Sequence, residues 1–177
     1  MELKYYKLQF FLIFALLLHT VSASSCGYSL VGRGSSLPPE IKTARIPIFI
    51  NKTNQPDLVK IVTDVVRLEF IKDGRLKIVD ANYADSTIGG TIKHYSQKPI
   101  SFDADNNVTA YTVRLVLAVQ FTNDNNGKKL LSSSVEAKKR YDVDQSLLAS
   151  ETIRRAAITD AATKASESLI SIIVEAF

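Results

Sequence analysis

Tryptophan is absent from the 177 residues, and cysteine and methionine occur once each. A lone cysteine closes no intramolecular disulfide, which excludes a disulfide-stapled scaffold. Histidine is as scarce: His19 and His94 give a Cys/His zinc site too few ligands. With 7 glycines and 5 prolines the chain is neither collagen-like nor a low-complexity disordered segment. Basic residues outnumber acidic ones only 22 to 18, and the net charge of +4 is spread along the chain without a long basic run. A nucleic-acid partner is therefore not expected. The apolar run Phe10–Leu18 falls well short of the roughly 20 residues that a membrane-spanning helix needs. What remains is a globular composition, 46% hydrophobic, 23% charged and 8% aromatic, at a length that suggests one domain with a sizeable core.

The start of the chain reads as an export signal. Lys4 and Lys7 precede the apolar stretch Leu8–Leu18, and small residues then lead through Ala23-Ser24-Ser25 to Cys26. That junction resembles the lipobox of bacterial lipoproteins, where the cysteine is acylated and becomes the mature N-terminus, although Ala23 stands where leucine is usual. Val21-Ser22-Ala23 also satisfies ordinary signal cleavage, which would leave Cys26 a free thiol, so both outcomes stay open. Gly27 after the cysteine favours the outer membrane, as lipoprotein sorting implies. Loss of 1–25 removes Lys4, Lys7 and Glu2, which brings the charge from +4 to +3. Residues 26–40 hold Gly32, Gly34, Pro38 and Pro39 and suit a tether, so the domain is expected over 41–177.

Within that domain the hydrophobic period changes several times. Ile41–Ile50 is rich in β-branched residues but interrupted by Pro47, which predicts a short edge strand. Over Asp57–Asp73 apolar residues fall at 58, 61, 62, 65, 66 and 68, with Lys60, Thr63, Asp64 and Arg67 on the opposite side, a helix capped by Gly74. Leu76–Asp80 and Ser86–Lys98 are strand candidates, the second with a bulge or a close approach of backbones at Gly89-Gly90. Ala110–Thr122 is the clearest strand: Tyr111, Val113, Leu115, Leu117, Val119 and Phe121 occupy every odd position. Asn123–Gly127 turns the chain into a partner strand, Leu130–Tyr141. From Gln145 onward the 3/4 spacing of Ile158, Ala161, Ala165, Leu169, Ile172 and Ala176 predicts a helix of some 30 residues, with a break or N-cap near Ser150. The order predicts an α+β two-layer sandwich, two helices on one face of a mainly antiparallel sheet of four to five strands.

These segments together resemble one family. Cys26-Gly27-Tyr28-Ser29-Leu30, Ile46-Pro47-Ile48-Phe49 with Asn51-Lys52-Thr53, Asp73-Gly74-Arg75-Leu76 and Tyr111-Thr112-Val113 are similar, in order and spacing, to the LptE family of lipopolysaccharide-assembly lipoproteins. The resemblance implies a protein anchored at the inner leaflet of the outer membrane that plugs the LptD β-barrel, supports its assembly and binds lipopolysaccharide. Of the family's functional positions only the lipid-attachment cysteine, Cys26, carries over.

Chemistry beyond this is thin. His94 on a strand has no identifiable catalytic partner, and Gly32-Arg33-Gly34 lacks the strand, helix and lysine of a phosphate loop. Asp103-Ala104-Asp105-Asn106-Asn107 lacks the glycine and terminal glutamate of a calcium loop and reads as a turn. No enzyme, metal or cofactor is expected. The candidate ligand-binding residues are basic: with both odd faces inward, Arg114 lies opposite or diagonal to Lys138 on the outward face, Arg140 is one step along, and Lys93 joins if Gly89-Gly90 bulges. Like charges facing across a sheet repel, and an anionic ligand such as the lipid A phosphates would relieve that. The bland alternative is a solvated face diluted by Glu136. The competing function is a free-standing periplasmic lipoprotein with a scaffolding role. If Cys26 is acylated, at about 0.8 kcal/mol per buried methylene, Cys26→Ala should release the protein from the membrane fraction. Mass spectrometry of the mature N-terminus checks this, and an unmodified start at Ser24 would refute it.

Overall fold

The structure is a computed structural model that describes residues 37–144 and 146–177. Cys26, the export signal and most of the expected tether lie outside the described residues. In chain order the elements are β1 (Thr43–Arg45), β2 (Ile50–Asn51), α1 (Leu58–Asp73), β3 (Lys77–Ile78), a 3-10 turn at Ala81–Tyr83, β4 (Ser86–Phe102), β5 (Val108–Asn123), β6 (Lys129–Asp142) and α2 (Leu147–Glu175). They make a six-stranded sheet in the order β3-β1-β4-β5-β6, with β2 also on β4. The long strands β4, β5 and β6 are antiparallel, whereas β1 and β2 run parallel to β4, and β3 parallel to β1.

Side-chain alternation along β5 sets the layers. Val113, Leu115, Leu117, Val119 and Phe121 are all buried, and both helices lie over this face. The longer helix, α2, brings Ala157, Ala161, Ala162 and Ala165 against the sheet, where side chains of one carbon allow close approach, with Ile158, Leu169 and Ile173 between them. The shorter α1 contributes Leu58, Val62, Val66 and Phe70. This is the expected two-layer sandwich. The core also takes in Leu37, ahead of the boundary expected at Ile41.

Several local expectations are revised. The predicted edge strand over Ile41–Ile50 is two short strands separated at Ile46–Phe49, and β1 is flanked on both sides. Pro47 breaks the ladder, and α1 serves the main chain left open around it. The Thr63 hydroxyl accepts a bond from the Phe49 N–H at 3.1 Å, while Arg67 donates from Nε and Nη2 to the Ile46 carbonyl at 2.8 and 2.6 Å. That is why Thr63, on the polar side by pattern, is buried. No bulge falls at Gly89-Gly90, which pair in register with Gln120 and Val119. No backbone comes close there either; what lies on Gly90 is a side chain, the Phe49 ring, which an added Cβ would overlap. At the C-terminal helix Ser146, not Ser150, is the N-cap, its Oγ accepting from the Ala149 N–H, and the helix runs unbroken past Ser150. Gly74 caps α1 as expected, left-handed at φ 74°, with its N–H on the Phe70 carbonyl.

Leu117→Ala should cost about 2 to 5 kcal/mol and Gln120→Ala on the exposed face under about 0.5 kcal/mol, as read by denaturant unfolding. The adjacent glycines should separate in the same assay. Gly90→Ala forces the Phe49 ring to move, at a cost of about 1 to 3 kcal/mol, whereas the space over Gly89 is open apart from the Gln120 carbonyl at 3.9 Å.

Candidate functional site

The geometry of the outward sheet face turns on one residue in β4. The register passes from Ile92 opposite Leu117 to His94 opposite Val116, so Lys93 is the extra residue of a bulge. Before it the even positions Ile88 and Ile92 are buried. After it the odd positions turn to the helices: Tyr95 packs against the core, and Gln97 donates to the Tyr141 hydroxyl at 2.6 Å. The outward side is then formed by Ser96 and Lys98 of β4, Thr112, Arg114 and Val116 of β5, and Glu136, Lys138 and Arg140 of β6.

Arg114 stands directly opposite Lys138, and Thr112 opposite Arg140, as the hairpin register predicts. The repulsion expected there is already relieved within the chain. Glu136 accepts from Arg114 at 2.5 Å and meets Lys138 at 3.1 Å, and these two cations, Arg114 foremost, hold its carboxyl at about 2. Arg140 is paired with Asp142 at 3.0 Å. What the sequence missed is Lys98, which has no ion-pair partner among the described residues. It lines a hollow of about 400 Å³ with Ser96, Ile100, Thr112, Arg114 and Lys138. Lys98 falls inside the strand expected over Ser86–Lys98, but unbroken alternation from Ile88 and Ile92 puts it on the inward side, and only the bulge at Lys93 turns it out; β4 itself runs on through Pro99 to Phe102, where no strand pairs on the far side among the described residues.

Lys93 is not part of that hollow. It lies instead in a second one, of about 510 Å³, with Lys52, Thr53, Asn54 and Gln55 of the loop before α1 and with His94–Gln97. His94 is exposed there. The Asp103 carboxylate accepts from the main chain of Asp105 and Asn107 and from the Asn107 side chain, which makes that loop a self-capped turn. No cluster of three or more metal-ligating side chains occurs among the described residues.

One ionic cluster is half-buried on the helix side. Arg154 of α2 meets Asp57 at 3.0 Å, Glu151 at 2.8 Å and the Tyr95 hydroxyl at 3.2 Å, joining α2, the start of α1 and β4. Its bonds, to Glu151 above all, raise the guanidinium further above its usual range, and Arg154 in turn holds Glu151 at about 2. The cluster thus ties α2 to the start of α1 and to β4 through one guanidinium.

The model of the LptE family, described as lipopolysaccharide-assembly, matches residues 41–172. No curated protein matches this chain. Among solved structures, lipoprotein B of Nitrosomonas europaea is 16% identical, covers 84% of this chain and 90% of its own, and superposes with a TM-score of 0.52. The PelC dodecamer of Paraburkholderia phytofirmans is 11% identical over 80% of this chain and 94% of its own, with a TM-score of 0.50. A Xanthomonas campestris protein is 10% identical over 80% and 91%, with a TM-score of 0.53. At such identities these likenesses show the fold alone. The family match decides between the two functions the sequence left open, in favour of lipopolysaccharide assembly over a free-standing scaffold. The chain belongs to the LptE family, the non-catalytic, lipid-anchored lipoproteins on the periplasmic side of the outer membrane that serve lipopolysaccharide transport and LptD assembly.

Proposed function

We propose that this protein plugs the LptD β-barrel, tethered through acylated Cys26, and receives the lipid A phosphates at the outward basic hollow of its sheet. On this reading residues 1–25 are removed, 26–40 form the tether, whose Leu37 packs into the core, and 41–177 form the working domain. The observation that carries the ligand site is the grouping of Lys98, Arg114 and Lys138 beside Ile100 in one hollow. An anionic amphiphile needs cations next to apolar surface, and Arg and Lys on a rigid sheet supply charge-assisted bonds to phosphate. Arg140 lies at the rim, opposite Thr112. Lys93, a candidate by sequence, belongs to the other hollow and is left out of this contact.

Glu136 gives the reading its sharpest test. It neutralises part of the patch, so Glu136→Gln should tighten lipopolysaccharide binding, whereas Lys98→Ala with Lys138→Ala should weaken it by roughly threefold to tenfold, the scale of exposed charge contacts. Titration of the delipidated protein with purified lipopolysaccharide at several salt concentrations measures both. The wild-type affinity should fall as salt rises, more steeply than that of the double variant. Unchanged affinity in both variants, with circular dichroism intact, would remove the ligand from this face.

A further inference from the structure

The long strand β4 is flanked on one side only for part of its length. Toward β1 and β2 its pairing stops at Ile92, whose carbonyl accepts the last bond, from the Lys52 N–H at 3.0 Å. From Lys93 to Phe102 no strand covers that edge among the described residues. The bulge fixes which main-chain groups face outward. The Ile92 main chain points to the β2 side, the inserted Lys93 shifts the alternation by one, and the main chains of Tyr95, Gln97 and Pro99 then point the same way, where no strand meets them. Pro99 agrees with this, because a residue without an N–H is tolerated in a strand where no ladder bond is asked of it. Along this edge runs the hollow of about 510 Å³, lined by Lys52–Gln55 on one side and Lys93–Gln97 on the other.

The charge of the groove says what would lie in it. Lys52 and Lys93 line it and have no ion-pair partner among the described residues, and none of its lining residues is acidic. The other long edge left open among the described residues, β6, differs. Its Lys138, Lys139 and Arg140 are engaged by Glu136, Asp160 and Asp142. Resting on the LptD reading above, we propose that the open edge of β4 between Lys93 and Phe102 receives one added strand, an extended acidic segment of the barrel partner. Main-chain bonds to Tyr95 and Gln97 hold this segment, and its carboxylates meet Lys52 and Lys93.

The test uses the full-length tagged protein, extracted from outer membranes together with its own LptD. Gln97→Ala removes the side-chain bond to Tyr141 but keeps the main-chain N–H, whereas Gln97→Pro removes both. The proline variant should therefore co-purify about fivefold less barrel than the alanine variant, the scale of one lost hydrogen bond. Lys52→Glu with Lys93→Glu should lower the yield as well, with the melting temperature unchanged. A photo-crosslinking amino acid at Asn54 should join to one extended, Asp- and Glu-bearing segment of LptD, identified by mass spectrometry. Equal yields from all the variants would overturn the proposal while leaving the LptD reading intact. So would a crosslink to residues 26–36 of this chain, to a second copy, or to a barrel segment without acidic residues. Absence of the barrel from the wild-type preparation would overturn both.

Discussion

The period-two alternation of β5 is the constraint from which the rest follows. Five consecutive odd positions from Val113 to Phe121 are buried, so sliding β5 by one residue would turn this whole row to the outside and bring Arg114 beneath the helices. The register with β4 and β6 is thereby locked, and with it the placement of Arg114 opposite Lys138. The basic face is thus a by-product of core packing, positioned with the rigidity of the core although its own side chains are exposed.

The same alternation made the centre of the fold legible from sequence. The faces of β5 and β6, the alanine stripe of α2 and the cap at Gly74 all follow from local periodicity and turn chemistry, and the structure bears them out. What escaped is what depends on partners distant in the chain. Thr63 and Arg67 look like a polar helix face until the broken ladder at Pro47 comes to lie beside them. The Gly89-Gly90 pair signals a close approach of backbones, but nothing local says that the visitor is a side chain, the Phe49 ring, or that the bulge falls at Lys93 instead.

The ligand patch was legible in the same partial way. Arg114, Lys138 and Arg140 could be aligned by counting back from the hairpin turn, because β5 and β6 are joined by a short loop and stay in register along their inward faces. Lys93 could not, since its side of the sheet depends on a bulge with no glycine or proline to announce it. Lys98 escaped for the same reason: alternation carried unbroken from Ile88 and Ile92 would put it on the inward side, and the bulge turns it out. Glu136 was visible as a diluting charge, yet only the geometry makes it a bridge between the two cations that would otherwise repel.

The mixed topology also bears on the order in which the chain folds. Short turns join β4, β5 and β6, so this meander closes with little loop entropy. By contrast β1 and β2 pair in parallel with β4, and the Ile46 and Phe49 main chain is completed only by α1. During export from the N-terminus, β1, β2 and α1 emerge before any strand exists on which they can settle. Their parallel pairing with the sheet therefore waits on β4, the first long strand to follow them in the chain.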